Sequence, residues 1–163
     1  MQKIYIESSV ISVVTAKPSL DYEKYINQVA TWKFWEASTG RFKKYISPSV
    51  IDEISKGDPE AVPARLELVK NIEILSLTEE TIVLAEKYIK ALHLPKKAEI
   101  DALHIAVASF YKMDYLLSWN MKHIVNSQNI RKLIDYNVKN KIHNVVITTP
   151  RMFTGVTGNG KKH

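Results

Sequence analysis

The chain of 163 residues contains no cysteine. That excludes a disulfide scaffold, thiol nucleophiles and thiolate metal sites. It also lacks any apolar run near the roughly 18 residues that a membrane helix needs. Its opening, Met1-Gln2-Lys3-Ile4-Tyr5-Ile6-Glu7, is too short and too polar for a secretory signal. There is no internal repeat and no long linker. A cytoplasmic protein without a membrane partner is the expectation. The length suits one domain that can bury a real core. Hydrophobic residues at 45% and charged residues at 25% are near the globular average and exclude wholesale disorder. A net charge of +6 permits an anionic partner such as nucleic acid. On charge alone, a mildly basic solvated surface is the simpler explanation.

Apolar patterning alternates along the chain. Residues 3–6 read as a buried strand, and 10–14 form a closely coupled apolar stretch. A helix is expected over 22–40, with Tyr25, Ile26, Val29, Trp32 and Trp35 or Phe34 at helical spacing. Residues 44–47 read as a second strand. Ser47-Pro48 then opens a helix that runs to Gly57, with Ser47 as its cap. A helix over 64–71 precedes a third strand at 72–75. Thr78 caps a helix to Leu92, with Ile82, Ala85, Tyr88, Ile89 and Leu92 on one face. A helix at 98–112, a strand at 115–118, a helix at 127–140 and a strand at 145–147 complete the pattern. Strands separated by helices imply βαβ units. The expected architecture is a helix-rich three-layer α/β/α fold on a central parallel sheet of about five strands. Residues 1–153 form the expected domain and 154–163 a mobile basic tail. That tail nearly fits a phosphate-cradling GxxxxGK[ST] pattern, but it lacks the Ser/Thr, a strand leading in and a helix leading out.

In an open parallel sheet, ligands bind beyond the carboxyl ends of the strands. Glu7, Ser8 and Ser9 follow the first strand. Glu53 lies in the second turn of the helix after the second strand. Asp101 and Glu99 open the helix near residue 98, and Asn120, Lys122 and His123 follow the fourth strand. Glu7, Glu53, Asp101 and Asn120 can therefore converge as an all-oxygen site. Mg²⁺ prefers such donors, with Mn²⁺ as a substitute. A cation would also relieve the repulsion among clustered carboxylates. Each residue has an ordinary alternative: an ion pair for Glu7, a solvated helix face for Glu53, a helix-end charge for Asp101 and a turn for Asn120. Asp52 is one helical step from Glu53 and should point elsewhere. His104 is expected to be a packed, hydrogen-bonded histidine.

These same segments carry a family resemblance. Ile4-Tyr5-Ile6-Glu7-Ser8-Ser9-Val10-Ile11, Ser47-Pro48-Ser49-Val50-Ile51-Asp52-Glu53-Ile54, Asp101-Ala102-Leu103-His104-Ile105-Ala106-Val107-Ala108 and Leu116-Leu117-Ser118-Trp119-Asn120-Met121-Lys122-His123-Ile124 resemble the four acidic motifs of PIN domains. They are similar to those of VapC-type toxins of bacterial toxin–antitoxin pairs, over about residues 3–153. Two positions depart from the usual pattern: Glu7 and Asn120 stand where aspartate is common. The resemblance implies a Mg²⁺-dependent endoribonuclease. Glu7, Glu53 and Asp101 would be catalytic and metal-holding, and Asn120 an auxiliary ligand or substrate contact. Ser9 would hydrogen-bond a ligand carboxylate, beside Ser8. Lys122 and His123 would contact phosphate, with a helix cap as the alternative for His123. Glu99 ranks below the other three carboxylates. One tightly held Mg²⁺ is expected, any second ion arriving with substrate phosphate. RNA, an antitoxin and a second copy of the chain are the implied partners. The aromatic residues of the first long helix would serve the core, with any left over for the dimer or antitoxin. The rival readings are a catalytically weakened RNA- or protein-binding module, a small-molecule phosphoesterase and a DNA-directed enzyme.

Overall fold

A computed structural model describes residues 1–153; the tail expected at 154–163 lies outside the described residues. The chain runs β1 (Gln2–Ile6), α1 (Ser8–Thr15), α2 (Tyr22–Ser38), β2 (Phe42–Ile46), α3 (Pro48–Ile54), α4 (Val62–Val69), β3 (Glu73–Ile74), α5 (Glu79–Ala91), a single 3₁₀ turn (Lys96–Ala98), α6 (Glu99–Phe110), β4 (Tyr115–Leu117), α7 (Ser127–Lys139) and β5 (Val146–Thr148). The five strands form one sheet in the order β3-β2-β1-β4-β5, and every neighbouring pair is parallel. The helices fall into two groups that pack among themselves: α1 with α2, α3 and α4, and α5 with α6 and α7. This is the expected three-layer α/β/α fold.

The central strand explains itself. Ile4, Tyr5 and Ile6 are fully buried, as both faces of a covered parallel sheet require. Leu116, Leu117 and Ile46 continue that core on either side. The register aligns Ile6 with Leu117, and Leu117 with Thr148. The Glu7 amide extends the ladder to the Leu117 carbonyl at 3.0 Å, and Ser118 does the same to Thr148 at 3.1 Å. Glu7, Ser47 and Ser118, each directly following its strand, are therefore buried along one edge. Among the described residues, no helix is long and apolar enough to cross a membrane.

Three local readings need correction. The apolar stretch at 10–14 is the body of α1, a helix too short for periodicity to identify. The core face of α2 is not the Tyr25–Trp32 face. Gln28, Thr31, Phe34 and Ser38 are its buried residues, while Tyr22 and Tyr25 are exposed. The buried polar groups are satisfied there. Gln28 accepts from the Ser19 amide at 2.7 Å and donates to the Lys17 carbonyl at 3.0 Å, which clamps the α1–α2 loop. On α5, Thr81 is buried and Ile82 is half exposed, because Thr81 completes a capping box with Thr78.

Candidate functional site

Glu7 is the N-cap of α1, placed there because the strand ends at Ile6 and the helix starts at Ser8. It is only 3% exposed. A carboxylate buried so deeply needs donors, and it has three. The Ser118 hydroxyl donates to Oε1 at 3.0 Å. The Ser9 amide at 2.5 Å and the Ser8 hydroxyl at 3.1 Å donate to Oε2. The helix N-terminus adds its partial positive charge.

The Ser8 hydroxyl is also 3.1 Å from Glu53 Oε1. One hydroxyl has one proton and can serve only one carboxylate at a time. Glu7 and Glu53 thus face each other across a single shared donor. Glu53 is aimed from α3 by His104, whose Nε2 lies 2.5 Å from Oε1. Burial acts to raise the Glu53 pKa. The His104 hydrogen bond and charge, the Ser8 bond and the charge of Lys56 together outweigh it, and the carboxyl is held below its ordinary range. An ionised Glu53 can only accept, so Nε2 donates. Nδ1 of His104 is 2.7 Å from the Tyr5 hydroxyl, which is 2.7 Å from the Ser47 hydroxyl. Burial pushes the Tyr5 pKa up; the Ser47 bond opposes this, and the charges of Glu7 and Glu53 add to it. The phenol stays protonated and backs the histidine. Ser47 holds the N-cap position of α3 as expected, but its hydroxyl makes no cap bond; it belongs to this buried chain instead.

Asp101 and Asn120 meet elsewhere. Nδ1 of His123 is 2.8 Å from Asp101 Oδ2. Asn120 Oδ1 accepts from the His123 amide at 3.0 Å, and the Asn120 amide donates to Ser118 Oγ at 2.9 Å. A continuous path therefore joins all four expected residues: Asp101, His123, Asn120, Ser118, Glu7, Ser8, Glu53. His123 holds Asp101 through its ring, and its carbonyl accepts from the Asn129 side chain in the first turn of α7 at 3.0 Å. Ser9 reaches Glu7 through its amide, while its hydroxyl accepts from the Trp119 amide at 2.8 Å. Glu99 is exposed at the start of α6, apart from the network. Asp52 is exposed and pairs with Lys56. Lys122 is exposed beside Lys97, whose hydrogen bond and like charge hold its pKa below the ordinary lysine range.

Sequence reasoning missed Ser118, Ser47 and Tyr5. Ser118 carried a usable signal, since it directly follows a buried strand just as Glu7 does. The donor chemistry suits a hard cation only in part. Glu7 and Glu53 offer closely placed carboxylate oxygens, whereas Asp101 Oδ2 and Asn120 Oδ1 are engaged by His123. Among the described residues, no group of three or more His, Asp or Glu is disposed to hold a metal ion.

No protein-family model matches the sequence, and no curated protein sequence matches it. A solved structure does match in fold: the crystal structure of VapBC2 from Rickettsia felis bound to a DNA fragment from their promoter. The likeness covers 91% of this chain and 98% of that one, at 14% identity and a TM-score of 0.55. At that identity the likeness establishes the fold, which is the PIN-like one expected from the four acidic motifs.

Proposed function

We propose that the chain is a metal-dependent endoribonuclease that hydrolyses RNA phosphodiester bonds, and that it is the toxin of a toxin–antitoxin pair. The observation that carries this reading is the juxtaposition of a buried Glu7 and an ionised Glu53 across the one proton of Ser8. Two carboxylates held so close by the fold favour a cation. Glu7 and Glu53 would hold Mg²⁺, or Mn²⁺ in its place, with Asp101 as third carboxylate and Asn120 as an auxiliary oxygen. Such an ion offsets the carboxylate charge and stabilises charge developing on a phosphoryl oxygen. The protein's own contribution is positioning. Ser118 and the Ser9 amide fix Glu7, His104 fixes Glu53, and His123 holds one oxygen of Asp101. The basic surface is suited to a polyanion. The fold likeness to a chain of a VapBC complex supports an antitoxin as partner. A homodimer and a cytoplasmic location belong to the same reading.

A second reading has its own support. His123 occupies both Asp101 and Asn120, which favours a PIN-like module that binds RNA or protein and cleaves weakly. One experiment separates the two. The purified, antitoxin-free protein is given a pool of structured RNAs with Mg²⁺, Mn²⁺ or EDTA, alongside Glu53→Gln and Asp101→Asn. Metal-dependent cuts that fall about a hundredfold or more in both variants are expected. Cuts that survive EDTA or either substitution would overturn the assignment. No cuts, with salt-sensitive RNA binding retained, would select the binding module.

A further inference from the structure

A cleft of about 900 Å³ opens beside the carboxylate network, between α1, the start of α2, Arg65 of α4 and the segments around Trp119 and Arg151. We propose that this cleft seats single-stranded RNA, a base lying against Trp119 and the backbone phosphates meeting Lys17, Lys24, Arg65 and Arg151. The identification of the strand rests on the nuclease reading above.

Charge is the first argument. Among the described residues, the four ionisable side chains lining the cleft are all cations and no carboxylate lines it. Asp58 and Glu60 line an adjoining recess, and among the described residues' ion pairs neither joins Lys17 or Arg65. Arg65 spends one nitrogen on the Lys56 carbonyl at 3.1 Å, while its Nε is buried without a hydrogen-bond partner.

The second argument is the aromatic wall. Trp119 is held from two sides. Its amide donates to Ser9 Oγ at 2.8 Å, and its indole nitrogen donates to Thr31 at 3.0 Å. Thr31 is one of the unexpected buried polar residues of α2, and this contact accounts for it. A fixed half-buried ring beside cations is the combination that binds single strands without sequence preference, stacking a base while the charges track the backbone. The third argument is continuity. Trp119 and Met121 flank Asn120, and Ser12 lies one turn beyond Ser8 on α1. The site carboxylates do not themselves line the cleft, but the chain neighbours of Asn120 and the next turn of α1 after Ser8 do. An acidic peptide shares the charge preference but has no need of a fixed stacking surface next to the carboxylates.

The test is equilibrium binding of labelled oligouridine to the intact protein in EDTA, with salt varied. Lys17→Glu/Lys24→Glu alters two exposed lysines of the cleft. Lys139→Glu/Lys141→Glu makes the same charge change at the far end of α7. The cleft variant is expected to bind at least tenfold more weakly, its log–log salt slope falling by about 0.7 per lost phosphate contact. The α7 variant should stay within about twofold of the unaltered chain, and Trp119→Ala should lose about tenfold. Equal weakening in the two charge variants would overturn the proposal. So would displacement of the RNA by polyglutamate at equal charge concentration, which would assign the cleft to an acidic peptide. Cleavage assays on the same variants separate the two readings. Metal-dependent cutting with unchanged binding in the cleft variant sinks the cleft alone. Cleft-dependent binding without any cutting sinks the nuclease alone.

Discussion

Two histidine–carboxylate pairs face the same edge of the sheet, and they are built differently. His104 is fully buried, bonds Glu53 at Nε2 and is backed at Nδ1 by Tyr5 and then Ser47. His123 is 13% exposed at its side chain and Asp101 17%. Among the described residues its ring hydrogen-bonds to Asp101, and its backbone is held by Asn120 and Asn129 in a surface turn. The first pair is core that also faces the site. The second is a largely covered site contact without such a hydrogen-bonded relay behind it. The same chemistry should therefore carry stability in one place and mainly positioning in the other.

The largest break in that comparison is His104→Ala. It removes a buried ring, leaves a cavity and strips Glu53 of its donor. We expect a loss of about 3 kcal/mol. At this chain length that is a fall in Tm of roughly 10 °C, readable by calorimetry in EDTA. A change below about 1 kcal/mol would mean that His104 is not structural. Tyr5→Phe comes next. It leaves Ser47 Oγ and His104 Nδ1 buried and unpaired, for a loss of about 1–2 kcal/mol, while Glu53 keeps its histidine. If Tyr5→Phe costs as much as His104→Ala, the relay is one inseparable unit and the graded picture is wrong.

How much of this was legible in the sequence follows from where each signal lies. The strands announced themselves because both sheet faces are covered, so Ile4-Tyr5-Ile6 and Leu116-Leu117 read as short continuous apolar runs. Glu7 was legible for the opposite reason, a charge set directly after such a run. The partners of Glu7 and Glu53 were less visible. Tyr5 and Ser47 are 42 residues apart in the chain and Tyr5 and His104 are 99 apart, and no local pattern pairs them. The buried face of α2 failed for the same reason. Gln28 and Thr31 are inside because the α1–α2 loop and Trp119 supply their partners, which helical periodicity cannot foresee.

His123→Ala sharpens the contrast from the other side. The ring makes one hydrogen bond with no relay behind it, so its loss should cost about 1 kcal/mol, less than either core change. Its Nδ1 holds only Oδ2 of Asp101. Losing that orientation should weaken Mn²⁺ binding by roughly tenfold, the lower end for a group that orients a metal-holding carboxylate. Titration calorimetry reads this without any RNA. Tighter Mn²⁺ binding in His123→Ala would mean that the histidine competes for Asp101 and does not position it.

The smallest expected effect is the acid limb of stability in the metal-free protein. Glu53 is held below its ordinary value of 4.5, His104, Ser8 and Lys56 prevailing over burial. A carboxyl depressed in the folded state favours folding above its unfolded value and loses that advantage as pH falls through the folded one. The wild-type urea midpoint in EDTA should therefore drop more steeply below pH 4.5 than that of Glu53→Gln. The side chain is 34% exposed, so solvent screening keeps the difference small. Parallel curves would mean that His104 does not favour the carboxylate form. The buried pair would then hold Glu53 in place through geometry alone, and its contrast with the Asp101 pair would rest on packing without any share of charge.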